Sequence, residues 1–171
     1  MSAHFRRKLA EGEHCEALIA DLLRGRGCVV ERAEGRDQRR GIDLWVTPPG
    51  DGRCSVEVKR DARSEQTGRI CIELVSVDAR PRGRDLKPGW ALTCEADWLL
   101  IVQPKCGRAF WLRPLALRAR LPRWEHYASS RSGGCIEYST PNDGYCTTGI
   151  CVPVLMIVGL ALAETALGKA P

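Results

Sequence analysis

Residues 42–60 read IDLWVTPPGDGRCSVEVKR. IDLWV from Ile42 and CSVEVKR from Cys54 are strand-like, and TPPGDG between them is a turn sequence. An antiparallel hairpin is the simplest connection. Glu57 and Lys59 are two apart in the second strand, so their side chains project from one face. The hairpin brings Asp43, on the first strand, beside Glu57. Two carboxylates and an ammonium then converge on one sheet surface.

Upstream, residues 2–26 read as a helix. Leu9, Leu18, Ile19, Leu22 and Leu23 form its apolar stripe, and Gly25 and Gly27 supply the stop. Glu16 on this helix closes the carboxylate cluster if the helix packs against that face, with Glu13 as its competitor. CVVERA from Cys28 is a short strand, and EGRDQRRG from Glu34 an arginine-rich loop. Downstream, RICIELVSV from Arg69 is a strand and ARPRGRDLKPG (79–89) an exposed loop. DWLLIVQP from Asp97 is a buried strand, with GRAFWLR from Gly107 as its hairpin partner. PLALRARLPRW (114–124) is a short helix interrupted by Pro122. GCIEYST from Gly134 and YCTTGICV from Tyr145 are strands. The apolar run VPVLMIVGLALA (152–163) reads as a buried C-terminal helix with Pro153 in its first turn. It is well short of the roughly 20 residues a membrane span needs. The order of elements predicts one mixed α/β domain over 1–171, with a core at about 8–104 and C-terminal strands and helix at 107–171.

The composition bounds the reading. The chain has 171 residues, 44% hydrophobic and 27% charged, as an ordinary globular domain has. Its net charge of +5 comes from 26 Lys and Arg against 21 Asp and Glu. The distribution says more than the total. Arg36, Arg39, Arg40, Arg53, Arg60, Arg63 and Arg69 crowd the stretch that holds the carboxylates, and Arg80, Arg82, Arg84 and Lys87 follow. Arginine forks suit phosphate oxygens, which favours a nucleic-acid partner. The nine cysteines show no CxxC pair and read as reduced, mostly buried thiols of a cytoplasmic protein, Cys28, Cys71 and Cys151 acting as small hydrophobes. The five tryptophans read as core-filling residues, and His14 and His126 as structural ones.

Asp43, Glu57 and Lys59 are the equipment that phosphodiester hydrolysis requires. Mg²⁺ prefers carboxylate and water oxygens and commonly uses one or two protein carboxylates plus substrate phosphate. A metal so held polarises the phosphoryl oxygen and activates water. Lys59 is suited to orienting that water or offsetting charge on the phosphate. Each residue alone is ordinary: a Glu-x-Lys pair is common on strand surfaces. Order, spacing and strand placement together carry the case.

GEHCEALIADLLRGRG (12–27), then GIDLWV, then CSVEVKR resembles the PD-(D/E)xK nuclease superfamily. In that pattern a helix carries a Glu, a strand the Asp, and the next strand Glu-x-Lys. The spacing of Glu16 to Gly27 and the VVERA strand are similar to those of archaeal-type Holliday junction resolvases. KRDARSEQTGRICIELVS (59–76) is more like small phage or mobile-element endonucleases, with Arg69 where that pattern has Asn. Ile42 stands where the motif's name expects Pro, and Glu73 falls either near the site or simply within the sheet. The resemblance implies a restriction-endonuclease-like core, a mixed central sheet flanked by helices. It also implies a Mg²⁺-dependent endonuclease (Mn²⁺ substituting) acting on DNA, branched or structured DNA included, with a homodimer as a common assembly. Asp43, Glu57, Lys59 and Glu16 are the expected catalytic residues, and Asp43, Glu57 and Glu16 the expected metal ligands. Arg36, Arg39, Arg40, Arg60, Arg63 and Arg69 are the expected DNA contacts. Two other readings stay open: a non-catalytic nucleic-acid-binding module on this fold, and an unrelated α/β protein whose basic loops bind an acidic protein.

Overall fold

The computed structural model describes residues 3–78, 86–142 and 145–167, with side chains from residue 6 onward. The N-terminal helix α1 spans Ala3–Arg24, followed by β1 (Val29–Arg32), the helical turn α2 (Arg36–Arg39), β2 (Leu44–Thr47) and β3 (Cys54–Arg60). Next come α3 (Ser64–Thr67), β4 (Arg69–Asp78), β5 (Leu86–Pro88), α4 (Trp90–Thr93), β6 (Trp98–Gln103) and β7 (Arg108–Leu112). The chain continues through α5 (Pro114–Arg118), α6 (Leu121–Ser129), β8 (Ile136–Asn142), β9 (Tyr145–Pro153), α7 (Val154–Val158) and β10 (Ala163–Ala166).

These strands form two sheets. The central sheet has six strands in the order β1-β2-β3-β6-β7-β10, and the second has four in the order β5-β4-β9-β8. β3 and β6 pair in parallel while their neighbours run antiparallel, so the central sheet is mixed. A parallel pair needs a long crossover, and residues between β3 and β6 supply it by building β4, β5 and α4.

Alternation along the strands sorts the core into two faces. Val56, Val58, Leu100 and Val102 pack with Cys15, Ile19, Ala20 and Leu23 of α1. Leu99, Ile101, Phe110 and Leu112 turn the other way, toward Ile70, Ile72, Ile150 and Val152 of the second sheet and Leu117, Leu121 and Trp124 of α5 and α6. Each buried Val, Leu, Ile or Phe among them contributes roughly 1.5–3 kcal/mol by leaving water. α1 ends where its glycines predict: Cys28 N–H donates to the Leu23 carbonyl at 3.1 Å, and Gly27 takes φ +84°, which a side chain would disfavour.

Several expectations need correction. The apolar segment 152–163 is not one buried helix. Val152 and Pro153 finish β9, α7 is five residues long, and the chain then returns to the central sheet, where β10 pairs with the edge of β7. Apolar composition alone does not separate a helix from buried strand ends. Of the stretch read as a loop, 79–85 lies outside the described residues, and Leu86–Pro88 pairs with β4. The 114–124 segment divides into two helices, Pro122 falling in the first turn of α6, where its missing N–H costs nothing. No helix among the described residues is long and apolar enough to cross a membrane.

The cysteines bring a further correction. Cys71 and Cys151 are directly opposed on β4 and β9 and form a disulfide; Cys15, Cys28, Cys54, Cys94, Cys106, Cys135 and Cys146 are free thiols. Residues 80 apart in sequence met because strand pairing aligned them, which no spacing could show. Closing so long a loop restricts the unfolded chain by about 4 kcal/mol on the chain-entropy account. Reduction, or Cys71→Ser, is therefore expected to lower unfolding stability by ~2–4 kcal/mol in a urea titration. Identical midpoints with and without reductant would refute the bridge.

Candidate active site

The β2–β3 hairpin forms as the sequence predicts, with Leu44 opposite Val56 and Val46 opposite Cys54. Asp43 sits one residue before β2 but is held as firmly as a strand residue. Its N–H donates to the Val56 carbonyl at 2.9 Å, and its carbonyl accepts from Ala33 N–H at 2.9 Å. Ile42 and Leu44 on either side are buried, so the intervening side chain must turn the other way. Ile42 belongs to a small cluster with Ala33, Cys94 and Ala96, which gives an apolar residue at this position its physical reason. The Asp43 carboxylate accepts the Val58 N–H at 2.7 Å.

Glu57 is the unusual group. It lies in the middle of β3 and is only 3% exposed. Lys59, two residues on, forms an ion pair with its Oε1. The Asp43 carboxylate lies within hydrogen-bonding reach of the Glu57 carboxyl. Glu57 Oε2 is buried and has no hydrogen-bond donor among the described residues. Burial, and then the Asp43 charge, push the Glu57 carboxyl up to about 7 against the opposing pull of Lys59. Burial would lower Lys59, but the Glu57 and Asp43 carboxylates outweigh it and raise the ammonium above its ordinary value.

Glu16 is brought near but not into this cluster. α1 packs on Val56 and Val58, the face opposite to Glu57 and Lys59, so the condition for it to close the cluster is not met. Its Oε2 accepts from Arg32 at 3.2 Å. Burial, followed by the Asp43 charge, raises its carboxyl, so it remains within electrostatic range. Glu13 is exposed, and Glu73 lies in the second sheet opposite Gly149. Among the described residues no three His, Cys, Asp or Glu side chains converge as metal ligands. The donor set is thus two hard carboxylates, one with an unsatisfied buried oxygen. That set fits Mg²⁺, which takes one or two protein carboxylates and completes its shell with water and phosphate.

Two residues of the site wall carry no readable signal in the sequence. Gly41 has φ +71°, and a Cβ there would lie 3.1 Å from Cys94 Cα and 3.6 Å from Glu57 Oε2. Cys94, at the end of α4, contributes its Sγ–H to the Gly41 carbonyl at 3.6 Å. Burial pushes this thiol up to about 11, so it is a neutral wall and not a nucleophile. Asp97 joins β3 to β6: its carboxylate accepts from Ser55 N–H and Oγ at 2.8 and 2.7 Å. A cleft of about 430 Å³ lies beside Asp97, at the β2–β3 turn with Arg53 and Arg113, away from the Asp43 end of the hairpin.

The expected DNA-contacting arginines divide. Arg36, Arg39 and Arg63 are exposed, and their guanidinium groups make no ion pair or hydrogen bond among the described residues. Arg40 is paired with Glu95 and Asp37, and Arg60 with Glu11. Arg69 donates to the Gly134 carbonyl at 2.8 Å and so ties β4 to the segment before β8. Arg80, Arg82 and Arg84 lie outside the described residues.

No family model matches the chain, and no curated protein matches it. Among solved structures the chain is similar to the bacterial homing endonuclease I-Ssp6803I, at 17% sequence identity and a TM-score of 0.49, over 63% of this chain and 70% of that one.

The raised Glu57 carboxyl makes stability depend on pH. Between about 4.5 and about 7 the folded protein binds a proton that the unfolded chain has released, so stability falls as pH rises through this window. The loss expected for the metal-free protein is roughly 3 kcal/mol. Unfolding of Glu57→Gln across the same window should lose most of this slope; a wild-type slope in that variant would place its origin elsewhere.

Proposed function

We propose that this protein is a Mg²⁺-dependent endonuclease that hydrolyses DNA phosphodiester bonds. The observation that supports this best is the buried Glu57 carboxyl, held between Lys59 and Asp43 with one oxygen unsatisfied. An acid buried in mid-strand is costly without a cation or proton to meet it. Asp43 and Glu57 are the residues that would hold Mg²⁺, and the ion, when bound, supplies Lewis-acid polarisation of phosphate and a water of lowered pKa. Glu16 acts from outside this pair, adding negative charge near Asp43 and being steered by Arg32.

The chain's own residues account for the remainder. Lys59 holds its ammonium beside Glu57 and is placed to orient the attacking water or offset charge on the phosphate. Val58 N–H fixes the Asp43 carboxylate, so the site is organised before substrate arrives. Gly41 and Cys94 keep the wall behind Glu57 apolar, which strengthens its electrostatics by excluding water. Arg36 and Arg39 precede Asp43 and Arg63 follows Arg60, so three unpaired guanidinium groups flank the same end of the hairpin, where a phosphate backbone would lie.

Labelled linear, single-stranded and four-way-junction DNA, incubated with wild type and Asp43→Ala in Mg²⁺ or Mn²⁺, tests this reading. The expected result is metal-dependent cutting that chelator abolishes and Asp43→Ala reduces at least ~100-fold. The preferred substrate would separate a junction enzyme from a general one. Binding without cutting by both proteins would instead support a binding module, and neither binding nor cutting would remove nucleic acid from consideration.

A further inference from the structure

The second sheet outgrows the body it packs on. Within β4 the buried positions are Ile70 and Ile72, and within β9 they begin at Gly149. Beyond them, residues 73–78, 86–88, 136–142 and 145–148 include no buried residue. β4 and β9 nevertheless stay paired as far as Asp78 and Cys146, and β8 and β9 as far as Asn142 and Tyr145. Among the described residues, the outer half of this sheet is therefore a ribbon with no buried side chain on either face. At about 3.4 Å per residue, the four residues of β4 beyond Leu74 extend it by roughly 14 Å.

The ribbon is rooted at the candidate active site. Gly89 N–H donates to the Leu74 carbonyl at 2.8 Å, and α4 begins at the next residue. α4 is capped by Cys94, whose Sγ–H reaches the carbonyl of Gly41, the glycine that lies beside Glu57. Thr148 follows Val152 and Ile150 at the strand period, and Ser139 is paired with Thr148. Both thus continue the face that packs on the central sheet, the side to which Glu57 and Lys59 also point.

Charge among the described residues of this ribbon is confined to Glu73, Asp78, Lys87 and Glu137; toward its outer end β8 and β9 carry neutral hydrogen-bonding side chains. Ser139, Thr140, Asn142, Tyr145, Thr147 and Thr148 line β8 and β9. Asn142 and Thr147 bond within the ribbon, Asn142 Nδ2 to the Thr140 carbonyl and Thr147 Oγ1, and Thr147 Oγ1 to the Ser76 carbonyl. The hydroxyls of Ser139, Thr140 and Thr148 have no hydrogen bond among the described residues. Phosphate contact calls for cations, as Arg36, Arg39 and Arg63 supply; base edges call for neutral donors and acceptors. The major groove admits a two-stranded β-ribbon, and the β8–β9 hairpin at the edge of this sheet is one.

From these observations we infer that the β8–β9 hairpin of this ribbon enters the major groove of duplex DNA and that Ser139 and Thr148 read base edges there, setting where the enzyme cuts. This rests on the nuclease reading above. The test uses a library of duplexes randomised in sequence, cut in Mg²⁺ by wild type and by the Ser139→Ala/Thr148→Val double variant, and sequenced. Guanine N7 methylation protection with Asp43→Ala on the preferred site runs alongside. Wild type should show a sequence preference, with major-groove N7 protection next to the cut site. The double variant should lose roughly 10- to 100-fold discrimination at one or two positions. Thr148→Val alone, nearly isosteric, should relax a subset of these if the double variant misfolds. An unchanged preference in a folded variant, or cutting by wild type with no preference and no N7 protection, would overturn the ribbon's role while leaving the nuclease intact. If wild type neither cuts nor binds duplex DNA, the nuclease reading itself fails and takes this inference with it.

Discussion

The burial of one carboxylate constrains the rest of the site. Glu57 occupies a central strand position where an aliphatic side chain would be favoured, 3% exposed and flanked through the sheet by Leu99. Leaving a charge there uncompensated would cost several kcal/mol. Lys59 meets one oxygen, Asp43 crowds the group, and Gly41 and Cys94 close it from behind. The second oxygen has no protein donor.

The two layers on the central sheet divide the labour. On one face α1 buries Cys15, Ile19, Ala20 and Leu23 against Val56 and Val58 and holds the hairpin rigid from behind. On the other, the crossover from β3 to β6 supplies β4, β5 and α4, and β8 and β9, from later in the chain, complete the second sheet. Precise placement of side chains is better served by strands packed on both faces than by loops. The exposed Arg36 and Arg39, in contrast, sit on the short helical turn α2 and Arg63 just before α3, where their charges stay in water.

The placement of Glu57 and Lys59 on β3, and of Asp43 just ahead of β2, was legible because every step was local: period-two alternation, a proline- and glycine-rich turn, and the register that follows from them. The stripe of α1 was legible for the same reason. Glu16, preferred over Glu13 for its spacing to Gly27, is the less exposed of the two and feels the charges of Asp43 and Lys59, but α1 covers Val56 and Val58 rather than the Glu57 face. Which face a helix covers depends on the alternation of the strand beneath it, and Val56 and Val58, not their neighbours, are the apolar pair. The C-terminal segment was misread because an apolar run carries no sign of whether it will continue as helix or fold back as an edge strand on β7.

By itself the sequence determined the hairpin, its carboxylate–ammonium trio and the helix that precedes it, since each follows from residue spacing within one element or one turn. Only the tertiary structure decided that Glu57 is buried with an oxygen to spare, that Cys94 and Gly41 form its wall, and that Cys71 meets Cys151. It also divided the strands between two sheets, one of which projects past its own core. These are contacts between residues distant along the chain, fixed by strand register and layer packing, and no local pattern encodes them.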